Sequence, residues 1–270
     1  MYKRQVVDGD RDGTATVDMG AYEFIEGLLA HWKLDERFGD IAWDSSGYAH
    51  HGTLYGDPNW QPSGGRIAGA LEFDGEGDAV AIPKVADCKD FTYALWVNQN
   101  VIGSFMRALI NHKDWIPGSV HFELLDGKPK VGIFGTTETF GDLVALDYTL
   151  AAGDWNHVVV TKSTEYLRLY VDAELAAERE LIESGAVILG DGYIGAFLHP
   201  QWGDRCFNGL IDDVGIYNYA LSADEIRWLL CDKPPRGDLN HDCKVNFMDF
   251  AILASGWLDC GLMVEELCGQ

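Results

Sequence analysis

Phe91-Thr92-Tyr93-Ala94-Leu95-Trp96-Val97-Asn98 decides the fold. Phe91, Tyr93, Leu95 and Val97 alternate with Thr92, Ala94, Trp96 and Asn98, and successive side chains of a strand point to opposite faces. The same period of two recurs downstream, where Leu167, Leu169 and Val171 alternate with Tyr166, Arg168 and Tyr170. Val158 to Val160 follow Trp155 as a further apolar run. Asp126-Gly127 parts two strand-like runs, 119–125 and 129–134, and that dipeptide favours a tight hairpin turn. Long helical periodicity is missing from residues 28 to about 230; Ser222-Ala223-Asp224-Glu225 is a capping box that opens one short helix through Trp228 and Leu229. Many short strands with turn residues between them predict a mainly β fold, a two-sheet antiparallel jelly-roll sandwich.

The rest of the composition agrees. A chain of 270 residues has room for one large domain and small appendages, and 31 glycines against 8 prolines suit many turns. A net charge of −23 opposes nucleic-acid binding, since phosphates are repelled by such a surface. No apolar run approaches the ~20 residues of a membrane span. Cys231, Cys243, Cys260 and Cys268 crowd near the C-terminus, while Cys88 and Cys206 lie in the main domain. No CxxC pair occurs, which argues against zinc. A tail too small for its own core gains most from disulfides, so an extracellular or cell-surface setting is expected, with three pairings open.

The chain divides into three parts. Met1 to Gln5 reads as translated adapter sequence, and residues 6–24 as the remnant of an upstream domain. Asp8, Asp10 and Asp12 alternate there before Gly13, but Met19 stands where the last ligand of a calcium loop belongs. Residues 25–231 form the sandwich. Residues 232–270 begin with a stiff linker around Pro234-Pro235 and continue into Asp238-Leu239-Asn240-His241-Asp242-Cys243-Lys244-Val245-Asn246-Phe247-Met248-Asp249. Counting Asp238 as position 1, side-chain oxygens fall at positions 1, 3, 5, 9 and 12. That spacing wraps hard oxygens round a calcium ion, with Asp238, Asn240, Asp242 and Asp249 as side-chain ligands and Lys244 giving its carbonyl. Phe250, Leu253 and Trp257 recur at helical spacing and predict a helix from near Phe247, so the tail is expected to be a small α-helical, EF-hand-like unit.

Several stretches resemble known families. The tail resembles a dockerin repeat, with Asp rather than Glu at position 12. That resemblance implies a cohesin-like protein partner, met by Phe247 and Met248 at positions 10 and 11, although only one loop is visible. Residues 6–24 resemble the closing turns of secreted parallel β-helices. The sandwich resembles the LamG-like, concanavalin A-like jelly roll through an ordered set of runs. They include Trp43-Asp44-Ser45-Ser46-Gly47, His51-Gly52-Thr53-Leu54, Gly69-Ala70-Leu71-Glu72-Phe73-Asp74-Gly75, Trp155-Asn156-His157-Val158 and Phe207-Asn208-Gly209-Leu210-Ile211-Asp212-Asp213-Val214. The resemblance implies a structural calcium on Asp44 and Asp212. An Asx turn is the alternative for Asp44, and Asp213 competes with Asp212. Ala173 departs from the family, which has glycine there. Its β-carbon predicts a longer turn or one of another type.

No catalytic residues emerge. Glycoside hydrolysis needs two carboxylates flanking a bond, and the one Glu-x-Asp-x-Glu run, Glu72-Phe73-Asp74-Gly75-Glu76, is better explained as a strand end and turn. A sugar-binding surface is better supported. Trp115 and Trp202 lie in expected loops, where flat rings beside polar groups stack on sugars, although packing at the sandwich rim would also account for them. The sequence therefore reads as a non-catalytic, secreted binding module for a polysaccharide or protein, with a calcium-dependent docking tail. An accessory part of a carbohydrate-active enzyme, or a spacer in an adhesin, are the alternatives.

Overall fold

The computed structural model describes residues 27–103, 105–135, 139–181, 185–200, 204–231, 238 and 245–262, and of 139–141 and 255–262 the backbone alone. The readings at residues 1–24, the linker, Trp202, Asn240, Asp242, Lys244 and Cys243 lie outside the described residues.

Two antiparallel sheets stack face to face. Numbered along the chain, the first runs β14 (Glu174–Glu180), β13 (Tyr166–Val171), β12 (Asn156–Lys162), β7 (Phe91–Gln99), β16 (Asn208–Tyr217), β5 (Ala70–Asp74) and β4 (Asn59–Gln61), with β1 (Leu28–Trp32) also paired to β16. The second runs β11 (Thr139–Val144), β10 (Lys128–Phe134), β9 (Val120–Leu125), β8 (Met106–His112), β15 (Val187–Ile194), β6 (Ala79–Cys88), β3 (Gly52–Tyr55) and β2 (Ile41–Ala42). The alternation on β7 does what the sequence requires of it. Phe91, Tyr93, Leu95 and Val97 enter the core between the sheets and join Phe122, Leu124, Val131 and Ile133 from β9 and β10. Ala94 faces the other way, into a smaller cluster with Val159, Tyr170, Tyr217 and Ile226. Ile226 belongs to α1 (Ala223–Trp228), which covers that outer face and carries the expected capping box, Ser222 and Glu225 each accepting the other's backbone N–H.

β16 changes partners halfway. Asn208 to Ile211 pair with β5, Val214 to Tyr217 pair with β1, and the register against β7 shifts between Asp212 and Gly215. Asp213 turns left-handed at the switch, φ +52°.

Both hairpin turns have two residues. Asp126 and Gly127 adopt φ of +52° and +74° between β9 and β10. The turn at Ala173 corrects the expectation of a longer one: Asp172 and Ala173 take φ of +50° and +64°, and Val171 pairs directly with Glu174. Tertiary contacts outweigh the β-carbon's preference. The Asp172 carboxylate accepts the His157 N–H at 2.9 Å and the Asn156 amide at 3.1 Å, and Ala173 is buried in the cluster with Tyr170 and Tyr217.

Candidate functional site

On β9, Val120, Phe122 and Leu124 point into the core, so His121 and Glu123 point to the outer face of the second sheet. Lys130 stands opposite Glu123, and Gly132 opposite His121. The loop after β8 folds Trp115 over this face, and Phe197 and Arg205, which exchange backbone hydrogen bonds, stand on the other side. Met106, Trp115, His121, Glu123, Lys130, Phe197 and Arg205 line a cleft of about 320 Å³.

Glu123 lies at its floor, fully buried. Its Oε1 accepts Arg205 Nη1 at 2.5 Å and Asn111 Nδ2 at 2.8 Å. Lys130 Nζ is 3.8 Å from Oε2 and 3.1 Å from Asp142. The Arg205 guanidinium also lies over the Phe197 ring, 5.1 Å from its centroid. Trp115 meets His121 edge-on at 4.6 Å and Phe134 at 5.4 Å. Gly132 makes room for it: a β-carbon at Gly132 would fall 3.1 Å from Trp115 Cη2. Burial pushes the His121 pKa down to about 4 in spite of Glu123, so its ring is neutral at pH 7. Its Nε2 then donates to the Asp114 carbonyl at 3.2 Å, which steadies the Trp115 loop. The cleft thus combines a half-buried indole, an aromatic wall, a buried carboxylate and two cations.

Trp115 is the sequence-predicted residue that lines this cleft. The sequence reading missed Glu123, Lys130 and Arg205. A signal for Glu123 existed, since Val120-His121-Phe122-Glu123-Leu124 sets a carboxylate within a strand of core residues.

Asp44 and Asp212 are not brought onto one ion. β1 separates them: Trp32 bridges to Asp44 on one side and pairs with Val214 of β16 on the other. Asp44 Oδ1 accepts the His31 and Ser46 N–H groups at 2.9 and 2.8 Å, and Oδ2 accepts Ser46 Oγ and the His50 N–H at 2.9 and 2.8 Å. Burial raises its pKa, but these bonds outweigh it and hold the carboxyl below its usual value. Four donors aimed at one carboxylate make an Asx-type turn and leave a cation no approach. Asp212 is fully buried at the partner switch of β16, where Oδ2 accepts the Ile67 N–H at 2.8 Å. Burial, then the neighbouring Asp213 and Asp35, raise its pKa to about 8. Asp213 is held low despite its burial by His31, whose Nε2 lies 2.6 Å away. Among the described residues, three acidic side chains, Asp57, Asp74 and Asp78, converge closely enough to share a cation.

In the tail, α2 (Phe247–Leu262) begins where the sequence places it. Met248 N–H donates to Asn246 Oδ1, and Asn246 N–H to Asp249 Oδ2, both at 2.7 Å. Asp238 and Asp249 are buried, 5% and 3% exposed, whereas Phe247 and Met248 are 87% and 64% exposed. Asp238 and Asp249 supply the hard oxygens that calcium prefers, so the described part of the loop fits that ion.

The chain belongs to the concanavalin A-like lectin/glucanase superfamily, whose Laminin_G_3 model matches residues 74–227, more than half its length. Domain 4 of AbnA, an extracellular arabinanase of glycoside hydrolase family 43 from Geobacillus stearothermophilus solved with arabinotriose, is similar to it. The TM-score is 0.57 at 19% identity, over 74% of this chain and 96% of that one. The binding domain of Paraclostridial Mosquitocidal Protein 1 matches with TM-score 0.58 and 15% identity, over 77% of this chain and 52% of that one. The botulinum neurotoxin serotype D ligand-binding domain in complex with N-acetylneuraminic acid gives 0.56 and 17%, over 76% and 50%. The chain spans about half the length of these toxin domains, and at such identities the likeness is one of fold. No curated protein sequence matches it. Among the described residues, no helix is long and apolar enough to cross a membrane.

Proposed function

We propose that this chain is a non-catalytic glycan-binding module of an extracellular protein, with the Trp115–Glu123 cleft as its ligand seat. The observation that carries the reading is the half-buried indole of Trp115, held over Gly132 beside the buried Glu123–Arg205 pair. A pyranose presents an apolar C–H face to such a ring and hydroxyls to such a pair. Among the described residues, Glu123 is the one carboxylate lining the cleft, whereas glycoside hydrolysis uses two. The solved relatives include a domain in complex with arabinotriose and another with N-acetylneuraminic acid. A glycan array probed with the full chain tests the reading. Binding that disappears in Trp115→Ala supports it, and a wild-type chain silent on every glycan sinks it.

A second reading concerns the tail. The burial of Asp238 and Asp249 beside an exposed apolar helix start favours a calcium-dependent docking unit. Asp238, Asn240, Asp242, Asp249 and the Lys244 carbonyl would hold the ion, and Phe247 and Met248 would meet a cohesin-like partner. Calcium would supply the positive charge that offsets the burial of two carboxylates.

A further inference from the structure

The two oxygens of Glu123 are treated differently. Oε1 has two donors, Asn111 and Arg205. Oε2 is just as buried and has no hydrogen-bond partner. Its nearest cation, Lys130 Nζ, stays 3.8 Å away and lies closer to Asp142. Buried carboxylate oxygens rarely lack a donor, because leaving one unpaired forfeits its hydration without return. This oxygen belongs to a side chain that lines the cleft, and its nearest neighbour, the Lys130 side chain, is 17% exposed, so a ligand that shifts Lys130 can bring the missing donor.

The chemistry of that donor is constrained. An ionised carboxylate offers acceptors alone and would set negative charge against Oε2. A hydroxyl donates one hydrogen bond and accepts others. A hydroxyl oxygen about 2.8 Å from each partner spans the gap between Oε2 and Lys130 Nζ, donating to the first and accepting from the second. Lys130 and Arg205 are both drawn toward carboxylates of the protein, which blunts their attraction for an anionic ligand. From this asymmetry we infer, resting on the glycan-binding reading, that the cleft selects neutral sugars, seats one hydroxyl between Glu123 and Lys130, and rejects sugars that place a carboxylate there.

The test is an array of neutral glycans beside acidic counterparts: methyl-esterified and free galacturonan oligomers, lactose and sialyllactose, xylan with and without glucuronate. The full chain should bind the neutral member of each recognised pair at least about tenfold more tightly, the usual worth of one hydrogen bond to a buried charge. Glu123→Gln keeps the acceptor for Asn111 and Arg205 but turns Oε2 into a donor. It should bring the two members of a pair within about threefold. Equal or tighter wild-type binding of the acidic members overturns the inference while leaving glycan binding intact, and this reading needs no variant to fold. Binding of neither kind overturns the glycan reading and this one with it.

Discussion

Arg205 reaches Glu123 across 82 positions of sequence, Nη1 to Oε1 at 2.5 Å, and so ties the strand-free segment before β16 to the middle of β9. Removing the arginine leaves Glu123 with Asn111 as its single donor in a fully buried position. Arg205→Ala should lower stability by about 2 kcal/mol, because a buried charge has lost a partner. For a domain of this size that is a melting point lower by roughly 4–8 °C, read by calorimetry. An unchanged melting point would mean that water takes over the arginine's place.

Gly132 sets the height of Trp115 above the sheet. Gly132→Val places branched carbon where the indole now lies, so the ring must lift. Glycan affinity should fall by about tenfold or more, the worth of a lost aromatic stack. A variant that melts like the wild type yet no longer binds would assign the loss to the seat of the ring.

Stability should peak near pH 6.5. Burial lowers the pKa values of His121 and His157 to about 4, so between 4 and 6.5 the unfolded chain holds two protons that the folded one does not, and stability rises with pH. Asp212, raised to about 8 chiefly by burial, acts with the opposite sign: the folded chain keeps its proton from about 4 to 8, and that contribution is lost as pH rises. Below 6.5 two rising terms oppose one falling term. Above it the falling term stands alone. Asp212→Asn should flatten the alkaline decline in a melting series from pH 4 to 9, and a decline that persists would place its origin elsewhere.

Asp44 should matter for stability without calcium. Asp44→Ala strands four donors, and a loss of about 2–4 kcal/mol is expected. Melting the variant and the wild type in calcium and in chelator should give the same difference. A difference that appears only in calcium would restore a metal at this loop.

The tail should respond to calcium by itself. Titrating the full chain with calcium should release heat that Asp238→Asn removes, since one ligand charge is gone. Asp249 is a poorer probe, because it also accepts the Asn246 N–H at the start of α2. Heat that is the same in wild type and variant would rule out this loop as the source.

Local rules carried much of this structure. The alternation on β7, the Asp126-Gly127 turn and the Ser222 box each depend on residues within one element, and all three stand as the sequence predicts. Ala173 did not, because its conformation is held by Asp172 and His157 across a neighbouring strand. The cleft was half legible. Trp115 announces itself as an aromatic in a loop, but Glu123 gains its meaning from Asn111 on β8 and from Arg205, which the topology brings together. The relation between Asp44 and Asp212 was hidden for the same reason. Nothing in either motif says that β1 would come to lie between them.

The strand that changes partners also fixes when the sandwich can be finished. β16 is the last of the described strands along the chain, yet it occupies the middle of its sheet, and pairing Tyr217 with Leu28 joins the two ends of the sandwich. Ile211, Val214 and Ile216 complete the core from that strand. A nascent chain stopped before residue 208 has made every described strand but β16, and still offers β7, β5 and β1 as unpaired edges around an unsealed core. Such distant closure makes for slow folding, and open edges invite neighbouring chains. Chains stalled before residue 208 should therefore associate with one another more readily than finished ones, through the bare edge of β7.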